Sequence, residues 1–137
     1  MMDDLNFLLD DLVRTVPYTK CAVLLSVDGI KTHWSGTSAD DADILAAMSS
    51  GMISLAHQVG AKFGGHQDSG VRQVITELSG LYLFVTAAAG GTVLAVLAGR
   101  EVNTGAISFE MTKLCKRVPT RIATPTRQRP ASGSGIR

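Results

Sequence analysis

The sequence lacks the signature of a nucleotide-hydrolysing enzyme. Glycine is abundant, with 14 residues, yet no GxxxxGK[ST] run occurs, and the Gly90-Gly91 pair falls between two apolar segments. A phosphate-binding loop needs a strand before its glycines and a helix after them. We therefore expect that the chain is not itself a GTPase and binds no cofactor.

Metal-ligand and nucleophile patterns are also missing. His57 falls on a predicted helix, whereas His66 and Asp68 fall in a glycine-rich loop, without HExxH or paired-cysteine spacing. No serine stands at a strained nucleophile turn with an orienting acid. The sequence predicts no metal site, no catalytic residue and no enzymatic activity.

Cysteine and net charge are both low. Cys21 and Cys115 show no CxxC spacing and lie in apolar patterns, which is typical of buried, reduced thiols and favours a cytoplasmic protein. The formal charge of +1 excludes a general electrostatic attraction to nucleic acid or membrane. Acidic residues rather than a basic segment follow Met1, so we expect no signal peptide.

A long helix from Asp40 to Phe63 is the most informative prediction. Ser38 and the acids after it are typical of a helix start, and Gly64 and Gly65 end the pattern. One face carries seven large apolar side chains at three- and four-residue spacing, which we expect to pack on the core: Ile44, Leu45, Met48, Met52, Leu55, Val59 and Phe63. The other face is small and uncharged, so we expect a second surface to cover it closely. Serines, a histidine and a glutamine in this helix argue against a membrane span.

The remaining pattern predicts two more helices and five strands. The helices cover about Asp3–Val16 and Thr104–Val118. The Asp28-Gly29 pair predicts a tight hairpin between the first two strands. The predicted strands are Lys20–Val27, Ile30–Gly36, Val71–Leu78, Leu81–Ala88 and Thr92–Ala98.

The strand order follows from the strands that are apolar on both faces. The first and fifth strands are apolar on both faces, so each requires neighbouring strands on both sides. Hairpins place the second strand beside the first, and the third, fourth and fifth in a row. We therefore predict an α+β fold: a five-stranded antiparallel sheet, order 2-1-5-4-3, with two helices on one face and the long helix on the other.

The chain divides into one domain and a tail. Residues 1–118 hold the apolar pattern, and an apolar fraction of 45% is ordinary for a globular domain. Residues 119–137 are rich in Pro, Thr, Arg, Ser and Gly, so we predict a disordered basic tail. The alternative is a basic docking segment for an acidic partner.

This order of elements resembles the roadblock family, of the dynein light-chain roadblock type, and in particular its bacterial members. Four segments carry the resemblance: Leu5–Val16, AVLLSVDGI (22–30), AAMSSGMISLA (46–56) and LYLFVTAAAGGTVLAVLA (81–98). The resemblance implies a homodimer in which the long helices pack together and the third strands pair. It also implies a noncatalytic adaptor or regulator of a Ras-like small GTPase. A sensor-kinase-like membrane protein often accompanies such systems, so partners would recruit the cytoplasmic chain to a membrane.

The predicted dimer interface combines the small-residue helix face with the third strand implied by the resemblance. On the helix the exposed polar end would form a platform for the GTPase, at Gln58 and Lys62. The alternative function is a small-ligand-binding sensor domain on a similar α/β sandwich, which would need a concave pocket with convergent polar groups. The predicted interface residues are Ala47, Ser50, Gly51, Ser54, Gln58, Ala61, Arg72 and Val74.

Overall fold

Five antiparallel strands form one sheet with helices on both of its faces. The computed structural model describes residues 2–64 and 71–118. The predicted tail and the loop residues 65–70 lie outside the described residues. The elements are α1 (Met2–Thr15), β1 (Thr19–Ser26), β2 (Lys31–Ser35), α2 (Ala39–Phe63), β3 (Gln73–Glu77), β4 (Leu81–Ala88), β5 (Thr92–Gly99) and α3 (Thr104–Arg117).

The strand order is β2-β1-β5-β4-β3, with every neighbouring pair antiparallel, which confirms the predicted topology. The central strands β1 and β5 carry unbroken buried runs, as the two-faced apolar pattern indicated. The hairpin between β1 and β2 is also confirmed. Gly29 has φ +89° in its turn, a conformation that L side chains rarely adopt, and its N–H donates to the Ser26 carbonyl at 2.9 Å.

Helices α1 and α3 share one face of the sheet. Their inward residues recur at three- and four-residue spacing and pack on alternate side chains of the strands, and Phe84 of β4 is fully buried in this layer. The buried helix residues of this layer are Leu5, Leu9, Leu12, Ile107, Met111 and Leu114, and Val16 and Val118 are buried directly after the two helices.

Helix α2 covers the opposite face, but with a different side than the sequence predicted. Ala42, Ala46 and Ser49 are fully buried, together with Leu45 and Ile53. Small side chains allow the helix backbone to approach the sheet closely, and the distance between packed elements depends on the side chains at the contact. The expectation that the seven large apolar residues of α2 pack on the core was therefore wrong for most of them.

The two ends of α2 also differ from each other in how well the sequence predicted them. The Ser38 hydroxyl accepts a hydrogen bond from the Asp41 N–H at 3.1 Å, so the predicted start is confirmed. At the other end, α2 stops before Gly64 as predicted, but Gly64 has φ −82°, so a left-handed cap, which glycine would allow there, is not used at this residue.

His33, on β2, predicts a pH-dependent stability. Its side chain is 3% exposed, its Nδ1 lies 3.0 Å from the Thr32 hydroxyl, and its Nε2 has no partner among the described residues. Burial lowers the pKa of His33, because the cationic form loses its hydration. The unfolded chain, with a histidine pKa of about 6.5, then binds more protons than the folded chain below that pH.

We therefore expect the free energy of unfolding to fall as the pH drops below about 6.5, and His33→Gln to remove that part of the slope. Urea unfolding of both proteins at neutral and mildly acidic pH measures the difference. Equal losses of free energy in the two proteins would mean that another group accounts for the slope.

Candidate interaction surface

The second half of α2 extends past the part of the helix that packs on the sheet. The last buried residue of α2 is Ile53, although the helix continues to Phe63. Over this distance, about 15 Å at 1.5 Å per residue, only Ala56 and Gly60 are half-buried and the other side chains are exposed. An apolar helix segment that the rest of the described residues leave uncovered is a candidate interaction surface.

Five large apolar side chains of α2 are exposed, and we call them the apolar stripe. Their exposed fractions range from 54% for Ile44 to 77% for Phe63. Large exposed apolar patches on soluble domains mark interaction sites more often than chance. The apolar stripe consists of Ile44, Met48, Leu55, Val59 and Phe63.

The apolar stripe lies on the side of α2 that faces β3. Met52 lies next to the apolar stripe on the circumference of α2. Its sulfur lies 3.9 Å from the Thr76 hydroxyl of β3. Met52 and Val74 are both half-buried and pack against the core cluster beneath α2. The stripe and the β3 edge therefore form one continuous surface.

The two edges of the sheet are not equally open to pairing. The β2 edge carries Lys31 and has a register shift opposite Leu24 and Leu25. Such features block the addition of a strand. In contrast, β3 pairs with β4 in an unbroken register from Gln73 to Glu77 and contains no lysine. No described strand pairs with its outer edge.

The predicted interface residues of α2 fall on two sides of the helix. Gly51 borders the apolar stripe, and an added Cβ there would meet nothing within 4 Å. Ser50, on the other side, donates a hydrogen bond to the Val27 carbonyl at 2.7 Å, so its hydroxyl is used inside the protomer. The remaining predicted residues are Ala47, Ser54, Gln58, Ala61 and Arg72, all exposed, and Val74, half-buried; their place in a dimer stays a prediction.

The predicted platform residues Gln58 and Lys62 are exposed near the end of α2. Of the histidine and loop residues discussed above, His57 is exposed on this helix, and His66 and Asp68 lie outside the described residues.

The thiols and the cleft near α3 bear on the alternative functions. Burial raises the pKa of Cys115 to about 11 and also raises that of Cys21, so both thiols stay protonated at neutral pH. A surface cleft of about 440 Å³ lies between the end of β4, residues 71–72 and α3. Its polar lining is Arg72, Thr86, Thr112 and Lys116, set around alanines, and Thr86 already accepts a hydrogen bond from Gln73.

The Roadblock/LC7 domain family model matches residues 5–98 of the chain. The chain belongs to the Roadblock/LC7 family. The predicted resemblance is thereby confirmed. The match runs from α1 through β5, and so includes both α2 and the open β3 edge.

Solved structures agree with this assignment. A Roadblock/LC7 domain from Streptomyces avermitilis is 43% identical, with a TM-score of 0.79, and the alignment covers 88% of this chain and 98% of that one. MglB from Myxococcus xanthus is 18% identical, with a TM-score of 0.74 over 90% of this chain and 97% of that one. A structure described as MglB with a tetrameric arrangement is 13% identical, with a TM-score of 0.78 over 90% of each chain. The last two show a common fold. No curated protein matches the chain.

Helix α2 of this Roadblock/LC7 domain is, by length and composition alone, the one described helix that could cross a membrane. The core helix of a folded domain passes the same test, and α2 contributes Ala42, Ala46 and Ile53 to the core beneath it. One side of α2 therefore packs on the core, and only its outer, exposed side requires cover by a partner.

Proposed function

We propose that this chain is a noncatalytic homodimeric adaptor or regulator that binds a Ras-like small GTPase in a bacterial signalling system. The observation that carries the proposal is the apolar stripe of α2 beside the open β3 edge. The family resemblance supplies the class of partner, and it also supplies a sensor-kinase-like membrane protein as a further component. The chain would act in the cytoplasm and reach the membrane through such partners.

The homodimer would use a twofold interface, in which the same surface of both copies comes together. The apolar stripes would cover each other, and the β3 edges would pair into one sheet. Pairing would satisfy the backbone groups that an edge strand leaves open. Gly51, Arg72 and Val74 lie where this arrangement places the interface. The tetrameric arrangement described for one MglB is consistent with self-association in this fold.

The adaptor would contribute binding rather than chemistry. Both thiols are protonated at neutral pH, and the sequence has no phosphate-binding loop. The GTPase would carry the nucleotide and the catalytic groups. The chain would act on it only by favouring one of its conformations.

We expect the dimer to bind a Ras-like GTPase of its source organism with an affinity that depends on the bound nucleotide. A regulator shifts an equilibrium only by its difference in affinity for the two states, and coupling in such systems is typically about 5- to 150-fold. Titration of the GTPase, loaded with GDP or with a nonhydrolysable GTP analogue, measures this ratio. Equal affinities for the two forms would mean that the chain is a scaffold and not a regulator. Binding to neither form would contradict the proposal that its partner is a Ras-like GTPase.

A further inference from the structure

We infer that the cleft beside α3 is a binding site for a small organic molecule that carries a phosphate monoester. We call it the anion cleft, and it is a site in addition to the proposed adaptor function. It lies on the α3 face of the sheet, opposite α2 and the apolar stripe. Its volume, about 440 Å³, is usual for small-molecule sites. The lining includes Arg72, Thr86, Ala87, Ala88, Thr112 and Lys116.

Two cations from different parts of the fold line the anion cleft. Arg72 directly precedes β3, Lys116 lies in the last turn of α3, and both side chains are exposed. No carboxylate is among the described residues of the lining, and neither cation forms an ion pair with another described residue. The cleft is therefore positively charged, and it selects for an anion.

A buried hydroxyl supplies a further hydrogen-bond donor. Thr86 is 8% exposed, and its oxygen accepts a hydrogen bond from Gln73 Nε2 at 2.9 Å. The Gln73 amide is oriented in turn by Ser108, whose hydroxyl lies 3.5 Å from Gln73 Oε1. The Thr86 hydroxyl donates to no other described residue, so its hydrogen is available to a ligand. In contrast, the Thr112 hydroxyl already donates to the Ser108 carbonyl at 3.0 Å.

The charge of the donors indicates which anion fits. A phosphate monoester carries about −1.5 to −2 charges at neutral pH and has three strong acceptor oxygens. This matches the two cations and the one hydroxyl, and hydrogen bonds between ionised partners are the strong ones. A carboxylate or a sulfate ester carries a single charge and would leave one cation uncompensated.

The rest of the lining is small and apolar, which leaves room for an organic group beside the phosphate. Strand β4 has large side chains up to Val85, but it ends in Ala87 and Ala88. Half-buried Val71 and Cys115 complete the apolar wall. Small-molecule sites commonly combine such walls with a few polar groups that fix the orientation of the ligand.

The probe is phenyl phosphate, titrated into the full chain at neutral pH while NMR records the backbone amide signals. We expect saturable shifts that are confined to the anion cleft. Phenyl sulfate has the same shape with less charge, and inorganic phosphate has the charge without the ring. Both should bind about tenfold more weakly than phenyl phosphate.

Each probe has an outcome that contradicts one part of the proposal. Equal binding of phenyl sulfate would overturn the choice of a phosphate, and equal binding of inorganic phosphate would overturn the organic group. If phenyl phosphate does not saturate at millimolar concentration, or shifts amides elsewhere in the chain, the anion cleft is not a binding site.

Two variants and a matched control locate the site. Lys116→Gln removes one cation and should weaken phenyl phosphate binding about fivefold or more. Ala88→Leu fills the cleft without a change of charge and should abolish binding. In the control, Arg117→Gln removes the adjacent cation of α3, which lines a different cleft beside α1, and binding should stay at the wild-type level.

Thermal unfolding checks that each variant is folded. Arg72 is left unchanged, because it also belongs to the predicted dimer interface. If Ala88→Leu does not fold, the comparison of Lys116→Gln with Arg117→Gln still decides. Equal affinities of these two variants for phenyl phosphate would overturn the assignment of the site to this cleft.

Discussion

The Gly51→Glu variant should be a folded monomer. In the protomer an added Cβ at Gly51 meets nothing within 4 Å, so the change leaves the fold of one chain intact. Replacement of glycine inside a helix also raises helix propensity. In the proposed dimer, Gly51 borders the apolar stripe, and a carboxylate there would be buried without a partner. We expect dimer affinity to fall by roughly a hundredfold or more.

Sedimentation at micromolar concentration measures this change, and circular dichroism checks that the helices persist. The matched control is Phe109→Glu, which places the same charge on α3, on the face that the proposed dimer leaves free. It should remain a dimer. A Gly51→Glu protein that sediments like wild type would remove Gly51 from the interface, and a monomeric wild type would refute the dimer itself.

The Gly36→Ala variant should lose a large part of its stability. Gly36 follows β2 with φ +84°, and an added Cβ would lie 2.5 Å from the Lys20 carbonyl oxygen and 3.1 Å from the Cys21 Cα. Both neighbouring atoms belong to the backbone of β1, which is central to the sheet. The left-handed conformation costs about 1–2 kcal/mol for an L residue, and the overlap adds about 1–3 kcal/mol.

We therefore expect a fall in melting temperature of about 10 °C or more, measured by thermal unfolding. Gly80→Ala is the control, because an added Cβ there meets nothing within 4 Å and its φ is not positive. It should unfold close to the wild-type temperature. Similar melting temperatures for both variants would show that β1 and β2 can separate at this point without cost.

The strand order could be predicted from the sequence because a strand that is buried on both faces has apolar side chains on both faces. In β1, Cys21, Val23 and Leu25 face α2, whereas Ala22 and Leu24 face α1 and α3. A strand with apolar residues on both faces must lie inside a covered sheet. The hairpin turns then left one arrangement that joins β1 to β5.

The side of α2 that meets the sheet could not be predicted in the same way. Periodicity shows that a helix has an apolar stripe, but not whether that stripe packs inside the chain or against another one. The sequence analysis assigned the large stripe to the core, and the structure places Ala42, Ala46 and Ser49 there. Small residues occupy this contact because they allow the closest approach of helix and sheet.

The sequence by itself therefore determined the elements, their order in the sheet and the family. All three depend on the local residue pattern, which also shows which faces of each strand are buried. Only the tertiary structure decided which surfaces remain open. It distinguished the two sides of α2, because Met52 contacts β3 on one side and Ser50 contacts Val27 on the other. Those contacts join residues far apart in the chain, and no spacing within a single helix encodes them.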